Sequence, residues 1–450
     1  MLRWRCVLLL FAAGCGGGQI PAIAGSGGTD GAPITIDAPS SADGAATDAA
    51  MESPAAPGGP PSTPPVCPPP PSTPRACTPP ADKRCPPPHL GQTGCMDATN
   101  PQKLAASVIP YEVNSPLWSD GALKTRGIAL PPGQHIHVKN CAANTAECCV
   151  VDPNNFPMCL PAHDDGKWVF PIGTVMIKNF MFPDADQSSG MKFVETRLFV
   201  RLPDQPDATG KPAEAWVGYG YQWNAQQTDA TIVSDAVNDA RSSATFTIGT
   251  AGGRQSVVWH YPSRADCMQC HARITPSGGF VLGAETAQMN RVVGGQNQLD
   301  RLQAMGLFDA PLPRPYKAAL VAPYAGQTGA PPAGATVEQR ARSYLHANCA
   351  FCHRPDGDFY FMDFRYDASL KEMAVCNVAP GKGDLGVMDA QRLVPAAPMK
   401  SVLSLRMTAP AATDASGNTG RMPQIGSYVV DSQGAKLVGD WITSIKACPD

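Results

Sequence analysis

Two pentapeptides carry most of the chemistry this sequence can support. They are Cys267-Met268-Gln269-Cys270-His271 and Cys349-Ala350-Phe351-Cys352-His353, both of the form C-x-x-C-H. Two thiols three positions apart on a helical turn can add across both vinyl groups of one haem, and the adjacent histidine is then held beneath the iron as its axial ligand. One such pattern arises by chance in a chain of this composition with a probability of about one in a hundred, and two together are far rarer. The expected cofactors are therefore two covalent haems of the c type, held by Cys267, Cys270 and His271 and by Cys349, Cys352 and His353. Zinc fits less well. Paired C-x-x-C zinc sites commonly place the second pair about 15 to 20 residues after the first, whereas 78 residues separate Cys270 from Cys349. A thioredoxin-like dithiol leaves the following histidine unexplained, twice.

Each iron needs a second axial position filled or left open. For the second haem the expected ligand is Met422, in Gly420-Arg421-Met422-Pro423-Gln424-Ile425-Gly426, 69 residues after His353. Met362, Met373, Met388, Met399 and Met407 read instead as packing residues, because methionine usually fills gaps. For the first haem, His260 lies seven residues before Cys267 and Met289 lies 18 residues after His271. Either can supply the ligand, as can another group or an open site. His346 reads as a surface helical residue. His135, His137 and His163 read as loop residues or as a metal cluster.

The elements that must position these groups follow from periodicity. Short β-rich runs separated by turns cover Trp168 to Phe170, Val175 to Ile177, Phe193 to Arg201, Ala215 to Trp223, Ala230 to Val233 and Gln255 to Tyr261, which suggests a sandwich or barrel. Helical patterns cover Ala284 to Val293, Glu338 to Asn348 and Ala435 to Lys446, the last with Leu437, Val438, Trp441, Ile442 and Ile445 on one face. The expected fold class is multidomain: a β-rich domain over 101–261, then mainly α, cytochrome c-like haem domains, with a first haem segment over 262–335 and a second domain over 336–450.

The chain opens with Arg3 and Arg5 and an apolar run from Val7 to Ala13, too short to span a membrane, which reads as a leader over 1–15. Phe11-Ala12-Ala13-Gly14-Cys15 resembles a bacterial lipobox, so Cys15 is the expected lipidated N-terminus and the chain an exported lipoprotein facing the periplasm or cell surface. Without the leader the net charge moves from -3 to about -5, which makes nucleic acid a poor partner. Residues 16–100 are rich in Gly, Ala and Pro, cannot build a core, and read as a tether. Of 16 cysteines, Cys67, Cys77, Cys85 and Cys95 read as a stapled knot at its distal end. The others outside the leader and the two motifs, Cys141, Cys148, Cys149, Cys159, Cys376 and Cys448, also suit an oxidising compartment. Spacing does not give the connectivity; one pairing, Cys376 with Cys448, would stabilise the C-terminal part by roughly 4 kcal/mol in the chain-entropy model.

Several stretches resemble a family of bacterial dihaem c-type cytochrome-like envelope proteins. They are Asn114-Ser115-Pro116-Leu117-Trp118-Ser119-Asp120, Phe170-Pro171-Ile172-Gly173-Thr174, Glu195-Thr196-Arg197-Leu198, Trp223-Asn224 with Thr228-Asp229-Ala230, Pro262-Ser263-Arg264, Leu282-Gly283 with Thr286-Ala287-Gln288, and Tyr344-Leu345 with Asn348-Cys349. The likeness runs from about Val108 to the C-terminus, and the last hundred residues resemble a class I cytochrome c. The resemblance carries no settled role, although some members resemble companions of, or fusions to, sugar-dehydrogenase-like domains; the haem chemistry itself points to outer-sphere electron transfer between redox partner proteins, a periplasmic dehydrogenase among the candidates. Two other functional classes stand beside it: a dihaem peroxidase or oxidase with one open iron, and a β-domain that docks a dehydrogenase.

Overall fold

Strand Val175–Pro183 is apolar on both sides, and that sets the architecture. Val175, Ile177 and Met181 belong to one buried cluster, while Met176, Phe180 and Phe182 face the other way. Its sheet must therefore be covered on both faces. The computed structural model describes residues 67, 69, 76–139, 149–151, 157–159, 167–186, 190–203, 216–233, 242–250, 253–271, 281–326, 328–355, 357, 359–410 and 420–449. In chain order its strands are β1 (Ile109–Pro110), β2 (Leu123–Ala129), β3 (Cys149–Val151), β4 (Pro157–Cys159), β5 (Val175–Pro183), β6 (Met191–Arg201), β7 (Trp216–Trp223), β8 (Ala230–Ile232), β9 (Ser242–Thr250), β10 (Gly253–Tyr261), β11 (Val292–Val293) and β12 (Gln296–Asn297). The helices are α1 (Arg264–His271), α2 (Thr286–Met289), α3 (Gln298–Ala304), α4 (Val337–Asn348), α5 (Val402–Thr408) and α6 (Ser432–Ser444).

β1, β2, β5, β6, β7 and β8 lie in that order in one antiparallel sheet. One face is covered by the segment that precedes β1, through Cys77, Leu90, Cys95 and Met96. Two disulfides, Cys67–Cys85 and Cys77–Cys95, staple that segment, as the cysteine spacing suggests. The opposite face is covered at one end by the β9–β10 hairpin, through Trp259, Tyr261 and Ile248. At the other end α2 and α3 cover it through Met289, Leu299 and Leu302. α1 lies between them.

Two features of the expected fold class are overturned. The six-stranded sheet is open, not closed into a barrel, and the other strands among the described residues form only two-stranded pairs and no second full sheet, while residues 168–170 contribute only an isolated bridge at Val169. Nor are mainly α, cytochrome c-like domains found: strand exceeds helix, 26% to 19%. α4 and α6 do pack on each other, with Gly434 so close to the Tyr344 ring that a Cβ would lie 2.4 Å from it. Between Cys349 and Ser401, however, the described residues hold only one short 3-10 turn, Pro398–Lys400. The reason is turn chemistry. Ala374, Asn377, Leu385, Asp389 and Ala396 all have positive φ in a stretch punctuated by Gly, Pro and Asp, and such residues end helices rather than extend them. The expected helix over Ala284 to Val293 shrinks to the single turn of α2, because Gly294 and Gly295, at φ +60 and +84, reverse the chain into the β11–β12 hairpin.

A third disulfide, Cys376–Cys448, ties this irregular stretch to the residues after α6. The leader, Cys15 and most of the tether lie outside the described residues, as do Cys141, Cys148 and His163. Among the described residues no helix is long and apolar enough to cross a membrane. Residues Pro64–Asp450 make one compact unit.

One extended segment, Asn114 to Asp120, joins the sheet to the helices. Asn114 Nδ2 donates to Ala287 O and Asn290 O, both at 3.1 Å. The side-chain amide of buried Gln288 accepts from Ser115 N at 2.9 Å and donates to Ser115 O at 2.8 Å. Ser115 Oγ donates to Ser343 O of α4, Trp118 N donates to Asn348 Oδ1 at 2.6 Å, and Val429 N donates to Asp120 Oδ1 at 2.7 Å. Truncating Gln288 to Ala orphans a buried N–H and C=O, each costing about 1–3 kcal/mol. Urea unfolding of Gln288→Ala is expected to show a lower midpoint at unchanged slope. Replacing Cys376 and Cys448 by Ser is expected to lose roughly 4 kcal/mol in the same assay, and an unchanged midpoint would refute it.

Candidate cofactor clefts

The first motif is placed by a short, capped helix. Pro262 stops β10, and Ser263 and Asp266 then exchange hydrogen bonds: Ser263 N donates to Asp266 Oδ2 at 3.0 Å and Asp266 N to Ser263 Oγ at 3.1 Å. This reciprocal capping starts α1 and carries Cys267, Cys270 and His271 around two turns. The helix sits hard on the sheet because β7 has Gly218 beneath it. A Cβ there would lie 2.9 Å from Cys267 Sγ. His271 rests on Phe199, ring centroids 4.1 Å apart, and Phe199 in turn stacks on Trp216 at 4.7 Å. These groups border a cleft of about 860 Å³ whose far wall is sheet, with Met176, Lys178 and Arg197, and whose mouth holds Leu117 and Trp118 of the connecting segment.

The second motif follows α4. Thr336 caps that helix by accepting from Gln339 N, while Gln339 returns a bond to Thr336 N. Cys349 N still donates to Leu345 O at 2.8 Å, and His353 N donates to Cys349 O at 2.9 Å, so the motif is a tight turn running on from the helix. It opens on a cleft of about 1250 Å³, walled by Phe351, Phe359, Phe364, Val402 and Met407. Met422 lines this cleft with Cys349, Cys352 and His353. Its loop is pinned from both sides. Met422 N donates to Arg406 O, Arg406 donates to Gly420 O and Lys382 O, and Arg421 donates to Ser427 O and Ala409 O.

Burial governs the electrostatics of both sites. It raises the thiols of Cys267 to about 11 and of Cys270 and Cys349 to about 12, so at neutral pH they are protonated. A disulfide-exchange centre needs the opposite shift. His353 is pushed down to about 4, first by burial and then by Arg392 and Arg406, and its Nδ1 has no hydrogen-bond partner among the described residues. A neutral imidazole in an apolar cleft beside two thiols and a thioether can coordinate a metal. Cys267, Cys270, Cys349 and Cys352 are the described cysteines outside disulfides.

The two clefts adjoin. Cys270 and Ile425 line both, and Cys352 Sγ lies 3.5 Å from Gln269 O. Neither expected axial ligand of the first haem faces its cleft. His260 stacks on Tyr428, ring centroids 3.7 Å apart, and Met289 is fully buried in the core against α3. What the cleft does contain, Met176, Lys178 and Arg197, sequence reasoning missed; the available signal was a lysine inside the apolar run Val175-Met176-Ile177-Lys178-Asn179-Phe180.

Other readings also change. His346 is not a surface residue: its side chain is only 13% exposed, its Nδ1 accepts from Tyr366 N, and its Nε2 donates to Glu285 at 2.5 Å. Met388 and Met399 do not pack, being 81% and 74% exposed. His135 and His137 bond to Gly306 O and Asp309, and no three His, Cys, Asp or Glu side chains among the described residues converge on a metal position.

Gly218→Ala is expected to cost about 1–3 kcal/mol by overpacking. Adding Cys267→Ala removes the atom it meets, so a double-mutant cycle should recover most of the loss; strict additivity of the two changes would refute the contact. No family model, curated protein or solved structure matches the chain.

Proposed function

We propose that this protein is a dihaem c-type electron carrier of the bacterial cell envelope, exported and anchored through a lipidated Cys15. The observation that carries the reading is the shared wall between two clefts, each with a C-x-x-C-H motif on its rim. Cofactors held at the two motifs would be neighbours, which suits electron passage through the chain. When bound, each haem supplies a one-electron couple, with a potential set by axial ligation, burial and hydrogen bonding.

The chain's own residues do the rest. Cys267, Cys270 and His271 would hold one haem and Cys349, Cys352 and His353 the other, and Met422 would add a thioether ligand at the latter site. The aromatic wall of Phe351, Phe359 and Phe364 keeps water from it. The donor set fits: thiols in couples outside any disulfide, an uncharged imidazole, and open volume beside them. The surface offered to redox partner proteins, a periplasmic dehydrogenase among them, is Phe361 and Tyr360 near the second cleft, 42% and 51% exposed. The resemblance to dihaem cytochrome-like envelope proteins belongs to the same proposal.

A second reading, a peroxidase-type centre at the first site, is favoured by one observation: His260 and Met289 both lie away from that cleft. A high-spin ferric signal with turnover of hydrogen peroxide supports it; two low-spin haems exclude it.

Protein purified from a maturation-competent host is expected to show two covalent porphyrins by mass and haem stain. Cys267→Ala/Cys270→Ala and Cys349→Ala/Cys352→Ala should each remove one. Met422→Ala should leave both attached while abolishing the thioether–iron charge-transfer band. A colourless wild-type product would end the proposal.

A further inference from the structure

The inner face of the sheet beneath the first motif carries a row of cations. Arg126 of β2 is directly opposite Lys178 of β5, and Lys178 is directly opposite Arg197 of β6. Neighbouring strands lie only about 4.8 Å apart, and like charges directly opposite destabilise a sheet. Arg126 is buried, at 6% exposure, and Lys178 and Arg197 are half-buried, Lys178 lining the same cavities as Leu117 and Leu282.

A buried cation is stable only when paired or hydrogen-bonded. Arg197 is. Its Nε and Nη2 donate to the two oxygens of fully buried Glu195, each at 2.8 Å, and Trp259 Nε1 donates to Glu195 at 2.9 Å. Lys178 and Arg126 make no ion pair and no side-chain hydrogen bond among the described residues, and Glu112 acts on Arg126 only through space. The acidic groups around them are already engaged. Glu195 serves Arg197, Asp266 is held by Ser263, Glu285 by His346, and Glu112 pairs with Arg291 at the surface. Lys124 bonds to Ala122 O, and Arg126 and Lys178 line, with Lys167 and Arg354, a space of about 540 Å³ bounded by Ala350 and Phe351 of the second motif. Lys178 lies on the boundary between this cavity and the first cleft.

We propose that Arg126 and Lys178, in line with Arg197, are the counter-charges for the propionate carboxylates of the first haem. This rests on the reading of Cys267, Cys270 and His271 as a haem attachment site. It accounts for a charge arrangement that the polypeptide alone leaves uncompensated, and it gives the first haem an orientation: acidic edge toward β2 and β5, away from the β9–β10 hairpin. The cations also favour the reduced iron, because they oppose the positive charge gained on oxidation.

The test uses the full-length, haem-loaded protein. Arg126→Leu and Lys178→Met should shift the propionate bending modes of the first haem in resonance Raman spectra and lower its midpoint in a redox titration. The second haem's midpoint should stay within error. Arg126→Lys and Lys178→Arg should restore both readouts, and Lys436→Met, on an exposed surface, should change neither. Neither hydrophobic variant should hinder folding, since each removes a buried charge. Unchanged propionate modes with haem fully attached would overturn the assignment. So would a saturable shift of the wild-type midpoint on adding inorganic phosphate, which would make the cavity a site for a free anion. Absence of attached haem in the wild type would instead remove the attachment reading itself.

Discussion

The extended segment from Asn114 to Asp120 ties the sheet to the elements that carry the second motif. Its backbone and side chains exchange hydrogen bonds with α2, with α4 and with the loop before α6, those to Gln288 and Ser343 buried and most of the others half-buried. A buried amide that loses its partner is costly, so each bond fixes a distance and not merely a contact. Gln288 meets both the N–H and the C=O of Ser115, which leaves the segment one register. α1 is set by the sheet and α4 by this segment, and the common wall at Cys270 and Ile425 follows from both.

The sheet explains why the first cleft lies where it does. Both faces are buried, so its strands are near-continuous apolar runs, and every polar side chain among them needs a reason. Thr196 and Asn179 satisfy each other and Trp223; Glu195 satisfies Arg197 and Trp259. The bulge opposite Phe180 and Met181 makes Val194 an extra residue in β6, and Glu195 shares a face with Arg197, two residues on, by the strand's alternation. Gly218 then leaves the one gap in β7 into which Cys267 can press.

Much of the site was legible in sequence because its chemistry is local. C-x-x-C-H is five residues long, and Met422 is flanked by residues whose loop geometry depends on nearby Arg406 and Arg421. The cores of β5, β6, β7 and β10 were equally visible as β-rich runs bounded by turn residues. What sequence hid was long-range. His260 has a plausible offset from Cys267, but β10 directs it at Tyr428; Met289 sits on a helical turn whose buried side belongs to α3. β2 was missed because Lys124, Thr125 and Arg126 interrupt its apolar pattern, and only the sheet pairing shows that two of them are buried. The mainly α expectation failed for a related reason. Amphipathic stretches at 338–348 and 435–446 do form helices, yet the residues between them obey turn preferences that a periodicity argument does not weigh.

The two overlapping disulfide loops at the front of the described chain have a mechanical consequence. Cys67–Cys85 and Cys77–Cys95 enclose a stretch that is also stitched to the rim of the sheet, with Tyr219 Oη donating to Lys83 O, Tyr221 Oη to Pro87 O and Ile232 N to Pro88 O. Tension applied at Cys67 therefore passes first into covalent links and then, in shear, along β7 and β8. The load is spent at that margin, and neither motif lies between it and the point of pull.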